Sequence, residues 1–121
     1  MNFIIPTPEL SRKDFLQSLT NHFPAIAEEV LGEDYTGLIH LQVACLARYA
    51  NRLIATARLD ELERVFRFFH DTVERVDSDT ENALYVSFLE HIDMDGESSL
   101  EKEARKLLQP HYLPIWLGLR K

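Results

Sequence analysis

The chain has 121 residues, 45% of them apolar, and its 20 acidic and 13 basic residues give a net charge of −7. This length fits one domain with one core, which we place over residues 1–121, and the apolar content excludes global disorder. The negative charge argues against proteins that bind nucleic acid or anionic membranes, because these meet phosphates with basic patches. A basic protein partner is compatible with this charge.

The N-terminal part of the chain contains two candidate helix starts. Thr7-Pro8-Glu9 supplies a capping hydroxyl, a proline for the first helical position and an acid for the first turn. Ser11 followed by Asp14 is a second cap candidate. Apolar side chains then share one helix face at Phe15, Leu19 and Phe23.

Residues 38–57 predict a long helix. They read LIHLQVACLARYANRLIATA, and apolar side chains cover most of the circumference in the first half. A helix of this kind is usually central and buried. Cys45, the single cysteine of the chain, lies inside this run. We therefore expect a buried core thiol rather than a nucleophile, and no disulfide can form within the chain.

Two more helices follow, and their patterns differ. Asp60 opens a segment whose apolar residues recur at the spacing of an amphipathic helix. These residues are Leu62, Val65, Phe66, Phe69, Val73 and Val76. Residues 80–92 are broadly apolar, which predicts a second central helix with a cap at Ser78 or Asp79.

The last helices have clear boundary signals. Ser98 and Glu101 form a capping-box pattern, and the helix that follows stops before Pro110. An apolar segment over residues 111–121 predicts a final short helix or tail. No useful length of strand-type alternation occurs. We therefore predict an all-α domain of six or seven helices, packed as an orthogonal bundle or as HEAT-like helical pairs.

The stretch EHIDMDGESSLE, residues 90–101, resembles a calcium loop because an Asp-x-Asp-Gly run precedes a glutamate. An EF-hand needs a glycine at position 6 and a bidentate glutamate at position 12. With Gly96 at position 6, Lys102 occupies position 12, so a cation stands where the closing carboxylate belongs. We interpret the stretch instead as a helix end at Ile92, a turn and a capped restart at Ser98.

A His-Asp hydrolase is the alternative enzyme interpretation. The order of residues resembles that of all-α hydrolases that collect a histidine, a His-Asp pair and a later aspartate around one or two metals. The available residues are His40, His70, Asp71 and either Asp93 or Asp95. Asp71 can instead pair with Arg75, one turn along its helix. We predict no enzyme activity, no metal and no cofactor, and we keep the hydrolase as an alternative.

Acidic residues are concentrated in one part of the chain. Residues 60–103 carry fourteen of the 20 acids but four of the 13 bases. Such a region is either a solvated surface or an acidic patch for a basic partner, and we take the patch as the hypothesis to test. The predicted partner-binding residues are Asp71, Glu74, Asp77, Asp79, Glu90, Asp93, Asp95 and Glu97.

Three stretches together resemble a known group of proteins. They are HLQVACLARY (40–49), NALYVSFLEHI (82–92) and EARKLLQPHYLPIW (103–116). They are similar to stretches of small all-helical bacterial proteins, some of which resemble immunity proteins of contact-dependent growth inhibition and other polymorphic toxin systems. The resemblance implies a cytoplasmic protein that binds a sibling toxin domain, often a nuclease, and blocks it. It supplies no catalytic residues and no interface residues.

Our leading hypothesis is therefore an immunity protein that neutralises a cognate toxin domain through an acidic surface. Nuclease toxins have basic clefts for phosphate, which an acidic inhibitor can fill. The alternatives are the His-Asp hydrolase and a helical adaptor or regulatory domain without a toxin partner. The N-terminus MNFIIPTPEL has no basic region, and no stretch approaches the roughly 18 apolar residues of a membrane span. We expect a cytoplasmic protein without membrane or nucleic-acid partners.

Overall fold

The computed structural model describes residues 8–121, and the described part of the chain is helical and contains no strands. Its seven α-helices are α1 (Arg12–His22), α2 (Ala27–Val30), α3 (Ile39–Ala55), α4 (Leu59–Thr72), α5 (Ser78–Ala83), α6 (Ser99–Leu107) and α7 (Leu113–Leu119). Short 3-10 turns lie at Pro24–Ile26, Glu33–Tyr35, Leu89–His91 and Pro110–Tyr112, and a π-helical turn spans Leu84–Phe88. The prediction of an all-α domain with six or seven helices is confirmed.

A side-chain cap determines where α1 begins. The Ser11 hydroxyl accepts the backbone N–H of Asp14 at 3.0 Å, so the helix starts at Arg12. Of the other candidate start, Thr7 lies outside the described residues and Pro8 is not helical. The second of the two predicted caps is therefore the one that forms.

Helix α6 begins with the predicted capping box. Ser98 Oγ accepts the backbone N–H of Glu101 at 3.2 Å and donates to Glu101 Oε1 at 2.7 Å. The other carboxylate oxygen of Glu101 accepts the backbone N–H of Gly96 at 2.7 Å. A Cβ at position 96 would collide with this carboxylate, so a larger residue would displace Glu101 from its bond to the N–H. The predicted turn and capped restart are confirmed.

Helix α3 lies at the centre of the fold. Ten of its 17 residues are buried. Helices α2, α4, α5 and α6 and the π-helical turn all pack against it. Among its polar residues, Arg48 and Arg52 are exposed and Asn51 is half-buried. No helix described between residues 8 and 121 is long and apolar enough to cross a membrane.

Helix α4 buries Phe68, which lies off the predicted apolar stripe, and the first four residues of that stripe, Leu62, Val65, Phe66 and Phe69. The helix ends before the last two: Val73 is buried just after it, and Val76 is half-buried in the turn that follows. The Phe68 ring lies 5.8 Å from the ring of Phe15 and 5.5 Å from that of Phe23, measured between centroids. These aromatic contacts come from α1 and the residue that ends it. Helix α4 is therefore covered by α1 as well as by the core. Its charged side chains are confined to the parts of its surface that remain exposed.

Residues 78–91 form one helical segment whose type changes along its length, rather than the α-helix predicted over 80–92. α5 gives way to the π-helical turn and then to the 3-10 turn. Leu84, Phe88 and Leu89 are all buried in this segment. The N-cap also differs from the prediction, because Asp77 occupies it in place of Ser78 or Asp79.

The C-terminal segment closes one end of the core. Trp116 of α7 is buried, and its indole N–H donates to the carbonyl of Ile92 at 3.0 Å. The ring of Tyr112 packs edge-on against Phe69 with the centroids 4.8 Å apart. The buried apolar residues of the described chain form one cluster.

The end of α3 yields a stability prediction at Ala57. Its φ of 57° lies in the left-handed region, which disfavours a Cβ. Its N–H donates to the carbonyl of Ile54 at 3.2 Å, as in a Schellman end. We expect Ala57→Gly to raise the free energy of unfolding by about 0.5–1 kcal/mol, because the relieved strain exceeds the added entropy of glycine in the unfolded chain.

Urea unfolding followed by circular dichroism measures this free energy. Ala55→Gly is the matched control, since Ala55 is the last helical residue of α3. The control should lower the free energy of unfolding by about 0.5–1 kcal/mol. A loss of stability in both variants would contradict the role assigned to Ala57.

Candidate functional site

Two of the predicted interface carboxylates lie at the start of α5 and are held by α1. Arg12 Nη2 lies 2.9 Å from Asp77 Oδ2 and 3.5 Å from Asp79 Oδ2. Burial alone would raise the pKa of Asp77, but the neighbouring donors of Thr80 and the hydrogen-bonded Arg12 guanidinium lower it. Asp77 also occupies the N-cap position, where negative charge is favourable. Both carboxylates therefore join α1 to α5.

Asp93 and Asp95 form a second ion-pair cluster, on Arg120 just after α7. Their carboxylates lie 3.3 Å and 3.0 Å from Arg120 Nη2. Arg120 Nη1 donates to the backbone carbonyl of Glu90 at 2.7 Å. Its guanidinium also lies over the Trp116 ring, 5.5 Å from the ring centroid. The hydrogen bond from Arg120 lowers the pKa of Asp95.

The same loop is anchored to α3 and α6. Asn51 of α3 donates to the carbonyl of His91 at 2.8 Å and accepts the backbone N–H of Asp93 at 2.9 Å. Arg105 of α6 donates to the carbonyl of Met94. The Met94 side chain is fully buried. The acidic stretch that resembles a calcium loop is thus held in place by protein side chains.

Ion pairs divide the predicted interface into two groups. Five of its eight carboxylates have partners: Asp77, Asp79, Asp93 and Asp95 as above, and Glu97, which lies 3.5 Å from Lys102. Within residues 8–121 no ion-pair partner is found for Asp71, Glu74 or Glu90. Asp71 and Glu74 are exposed, whereas Glu90 is half-buried.

Asp71 and Glu74 share a surface with a third carboxylate, which the sequence prediction did not include. Glu81 of α5 is exposed and has no ion-pair partner in the described part of the chain. The charges of Glu74 and Glu81 act on Tyr85 of the π-helical turn, and those of Glu74 and Asp71 act on Tyr112 of the 3-10 turn before α7. We call these five residues the tyrosine–acid surface.

The two phenols of this surface have raised pKa values, to which nearby carboxylates contribute. Burial raises the pKa of Tyr112 to about 12, and the charges of Glu74 and Asp71 add to this effect. Burial likewise raises the pKa of Tyr85, with further contributions from Glu81 and Glu74. Glu74 therefore lies within range of both phenols. Tyr85 is half-buried, so part of its ring stays accessible to a partner.

Two exposed histidines border the tyrosine–acid surface. His70 Nδ1 lies 3.2 Å from the hydroxyl of Tyr112, and the rings of His111 and Tyr112 are 3.9 Å apart between centroids. His70 and His111 are 5.7 Å apart by the same measure. These contacts fix the position of Tyr112, which is buried. Tyr85 is the partly exposed tyrosine of the surface.

A second acidic surface, absent from the sequence prediction, lies where α2 leads into α3. Its leucines are 59%, 48% and 44% exposed, in the order Leu31, Leu38 and Leu41. Glu28, Glu33 and Asp34 are exposed in the same segment, without ion-pair partners among residues 8–121. Gln42 Nε2 donates to the carbonyl of Val30 at 3.2 Å, which holds the end of α2 beside the first turn of α3. We call these leucines and acids the leucine–acid surface.

The residues of the hydrolase alternative lie in three separate environments. His40 Nδ1 is 2.7 Å from Ser87 Oγ, His70 contacts Tyr112, and Asp93 belongs to the ion-pair cluster described above. Within residues 8–121 no three or more His, Cys, Asp or Glu side chains are grouped to hold a metal ion. The His40 pair lacks a carboxylate that would orient the imidazole, as far as the described chain extends.

Most of the chain matches one known family. A profile for a domain of unknown function, DUF7674, matches residues 16–121. The chain belongs to the DUF7674 family. No curated protein and no solved structure matches it. The DUF7674 match includes every residue of the tyrosine–acid and leucine–acid surfaces, so both are part of the family's domain.

Cys45 of the DUF7674 domain should be unreactive in the native state. Its side chain is buried, as predicted, and burial raises the pKa of the thiol to about 12. At about pH 8 the native protein therefore holds almost no thiolate, which is the reactive form. We expect Ellman's reagent to react at least about 100-fold more slowly with native protein than with protein unfolded in guanidinium chloride. Equal rates would show that the thiol is accessible.

Arg120 should control the order of the acidic loop in the DUF7674 domain. Arg120→Gln removes the charge that holds Asp93 and Asp95 and weakens the bond to the Glu90 carbonyl. We expect amide hydrogen exchange to become about tenfold faster in residues 92–96, because local opening costs less. Lys121→Gln is the control, since its exposed side chain has no ion-pair partner in the described chain. Unchanged exchange in Arg120→Gln would assign the loop's order to Asn51 and Arg105 alone.

Proposed function

We propose that this domain binds a basic protein domain and neutralises it, in the manner of an immunity protein of contact-dependent growth inhibition or another polymorphic toxin system. The proposed partner is a cognate toxin domain, and the proposed setting is the cytoplasm. The proposed function needs no catalysis, no cofactor, no nucleic acid and no membrane.

The observation that carries the proposal is the set of unpaired carboxylates on the tyrosine–acid surface. Asp71, Glu74 and Glu81 are exposed and have no ion-pair partner within residues 8–121, and each lies close enough for its charge to act on Tyr85 or Tyr112. A carboxylate that is already paired must give up its partner before it can bind another cation. Unpaired carboxylates lose no such interaction, so they favour a basic partner more strongly.

The proposed binding mode follows from charge and from the accessible tyrosine. Three carboxylates attract a basic partner over several ångströms and speed its association. A toxin that acts on nucleic acid has lysines and arginines in the cleft that holds phosphate. When this cleft meets the tyrosine–acid surface, the carboxylates replace the phosphates and Tyr85 packs against the partner. The cleft is then closed to substrate.

The leucine–acid surface is the rival interface, and composition favours the tyrosine–acid surface. Tyrosine is enriched among the residues that contribute most to protein binding, whereas leucine is under-represented among them. Exposed leucines at 59%, 48% and 44% nevertheless mark a surface that a protein partner can cover. Each surface carries three unpaired carboxylates. Neutralising all three on either surface changes the net charge of the protein equally, so the two triple variants can be compared directly.

The proposal predicts a gene for a secreted protein immediately upstream, and the test uses the C-terminal domain of that protein as the binding partner. Asp71→Asn/Glu74→Gln/Glu81→Gln should slow association at least about tenfold at low salt, because the attracting charges are lost. Added salt should slow the unaltered protein as well and reduce the difference between the two. Stopped-flow fluorescence of Trp116 or surface plasmon resonance measures the rate.

The matched control is Glu28→Gln/Glu33→Gln/Asp34→Asn, which changes the net charge equally on the leucine–acid surface. Circular dichroism confirms that both triple variants are folded. A slower rate in the control alone would move the interface to the leucine–acid surface. No binding to the upstream domain, or no upstream gene of this type, would leave a helical adaptor without a toxin partner as the better description.

A further inference from the structure

A groove between α1 and α4 is lined by arginines, although the whole chain is acidic. Arg64, Arg67 and Arg75 lie on one face of α4 and the turn after it, at spacings of three and eight residues. They face Ser18 and His22 of α1 across the groove. The groove encloses about 300 Å³. This volume is at the lower end of the range for small-molecule sites.

The base of the groove is rigid. Phe68 and Thr72 line it, and both side chains are at least nine-tenths buried. Phe68 packs on the ring of His22 with the centroids 5.3 Å apart. The Thr72 hydroxyl donates to the carbonyl of Phe68 at 2.7 Å. The arginines therefore project from a wall whose position is set by core packing.

Arg67 and Arg75 each form an ion pair with a glutamate outside the groove and keep N–H donors that a ligand can use. Arg67 Nη2 donates to Glu63 at 2.8 Å, and Arg75 Nε donates to Glu9 at 2.8 Å. Arg67 Nε and Nη1 and Arg75 Nη2 have no hydrogen-bond partner among residues 8–121. These ion pairs are exposed and therefore weak, so an anion in the groove can compete with them.

Arg64 sits at the far end of the groove in a fixed orientation. Its guanidinium lies 5.4 Å from the centroid of the Phe23 ring and donates to the carbonyl of His22 at 3.2 Å. It also pairs with Glu61. Arg64 therefore adds positive charge to the groove, while Arg67 and Arg75 supply the free N–H donors.

We propose that this arginine groove binds the phosphate group of a small phosphate monoester. Planar guanidinium groups match the oxygens of a phosphate and form strong charge-assisted hydrogen bonds with it. Asp71 is the single carboxylate among the described lining residues, so the groove wall carries three positive charges and one negative charge. Asp71 can accept a hydrogen bond from a hydroxyl group of the same ligand. The inference does not rest on the proposed function: the two sites share Asp71, but Arg67 and Arg75 lie outside the tyrosine–acid surface.

The experiment is isothermal titration calorimetry with glycerol 3-phosphate and with inorganic phosphate, at constant ionic strength and about pH 8, where the phosphate is a dianion. We expect saturable binding of glycerol 3-phosphate, with inorganic phosphate weaker because it leaves Asp71 without its hydroxyl donor. Arg67→Gln/Arg75→Gln should weaken binding at least about tenfold. Asp71→Asn should reduce the preference for glycerol 3-phosphate over inorganic phosphate.

Lys102→Gln/Lys106→Gln is the matched control. It removes the same charge from two exposed ion pairs on α6, outside the groove. Circular dichroism establishes that both double variants are folded, and their exposed side chains make this the expected result. The control should bind like the unaltered protein. No saturable binding to the unaltered protein, or equal weakening in both double variants, would overturn the proposal.

Discussion

The burial of α3 is the constraint on which the rest of the structure depends. Ten of its 17 residues are buried, so the other elements have to pack around it on nearly every side. Helices this short gain most of their stability from such packing rather than from their own propensity. Charged side chains are excluded from the centre as a result. They lie on the outer faces of the covering helices, where both proposed binding features are found.

Helix α4 shows how this arrangement separates charge. Its inner face packs into the core with Phe66 and Phe69. On one outer side, Arg64 and Arg67 face α1. Glu74, just after the helix, lies outside this groove, and its charge acts on the phenols of Tyr85 and Tyr112. A net charge of −7 therefore describes the whole chain but not its individual surfaces, which differ in sign.

Pairing decides which acids are available for binding. Arg12 neutralises Asp77 and Asp79 and so connects α1 to α5. Arg120 neutralises Asp93 and Asp95 and so connects the acidic loop to the residue after α7. The acids in these pairs contribute to the fold. Glu74 and Glu81, by contrast, contribute little to packing and point to the solvent. An acidic residue thus stabilises the fold when an arginine lies within ion-pair distance, and it is free to bind a partner when none does.

The sequence by itself determined the helical class, the cap at Ser98 and most of the buried stripe of α4, because these depend on spacing and capping within one or two turns. For the start of α1 it left two candidates, of which the structure has Ser11. Only the tertiary structure decided which carboxylates stay unpaired, since Arg12 and Asp77 are 65 residues apart in the chain. It also decided that Phe68 is buried and that Leu38 and Leu41 are exposed, although both leucines belong to a run that predicts a buried helix. The exposure of a side chain depends on which neighbouring element covers it, and local periodicity carries no information about that neighbour.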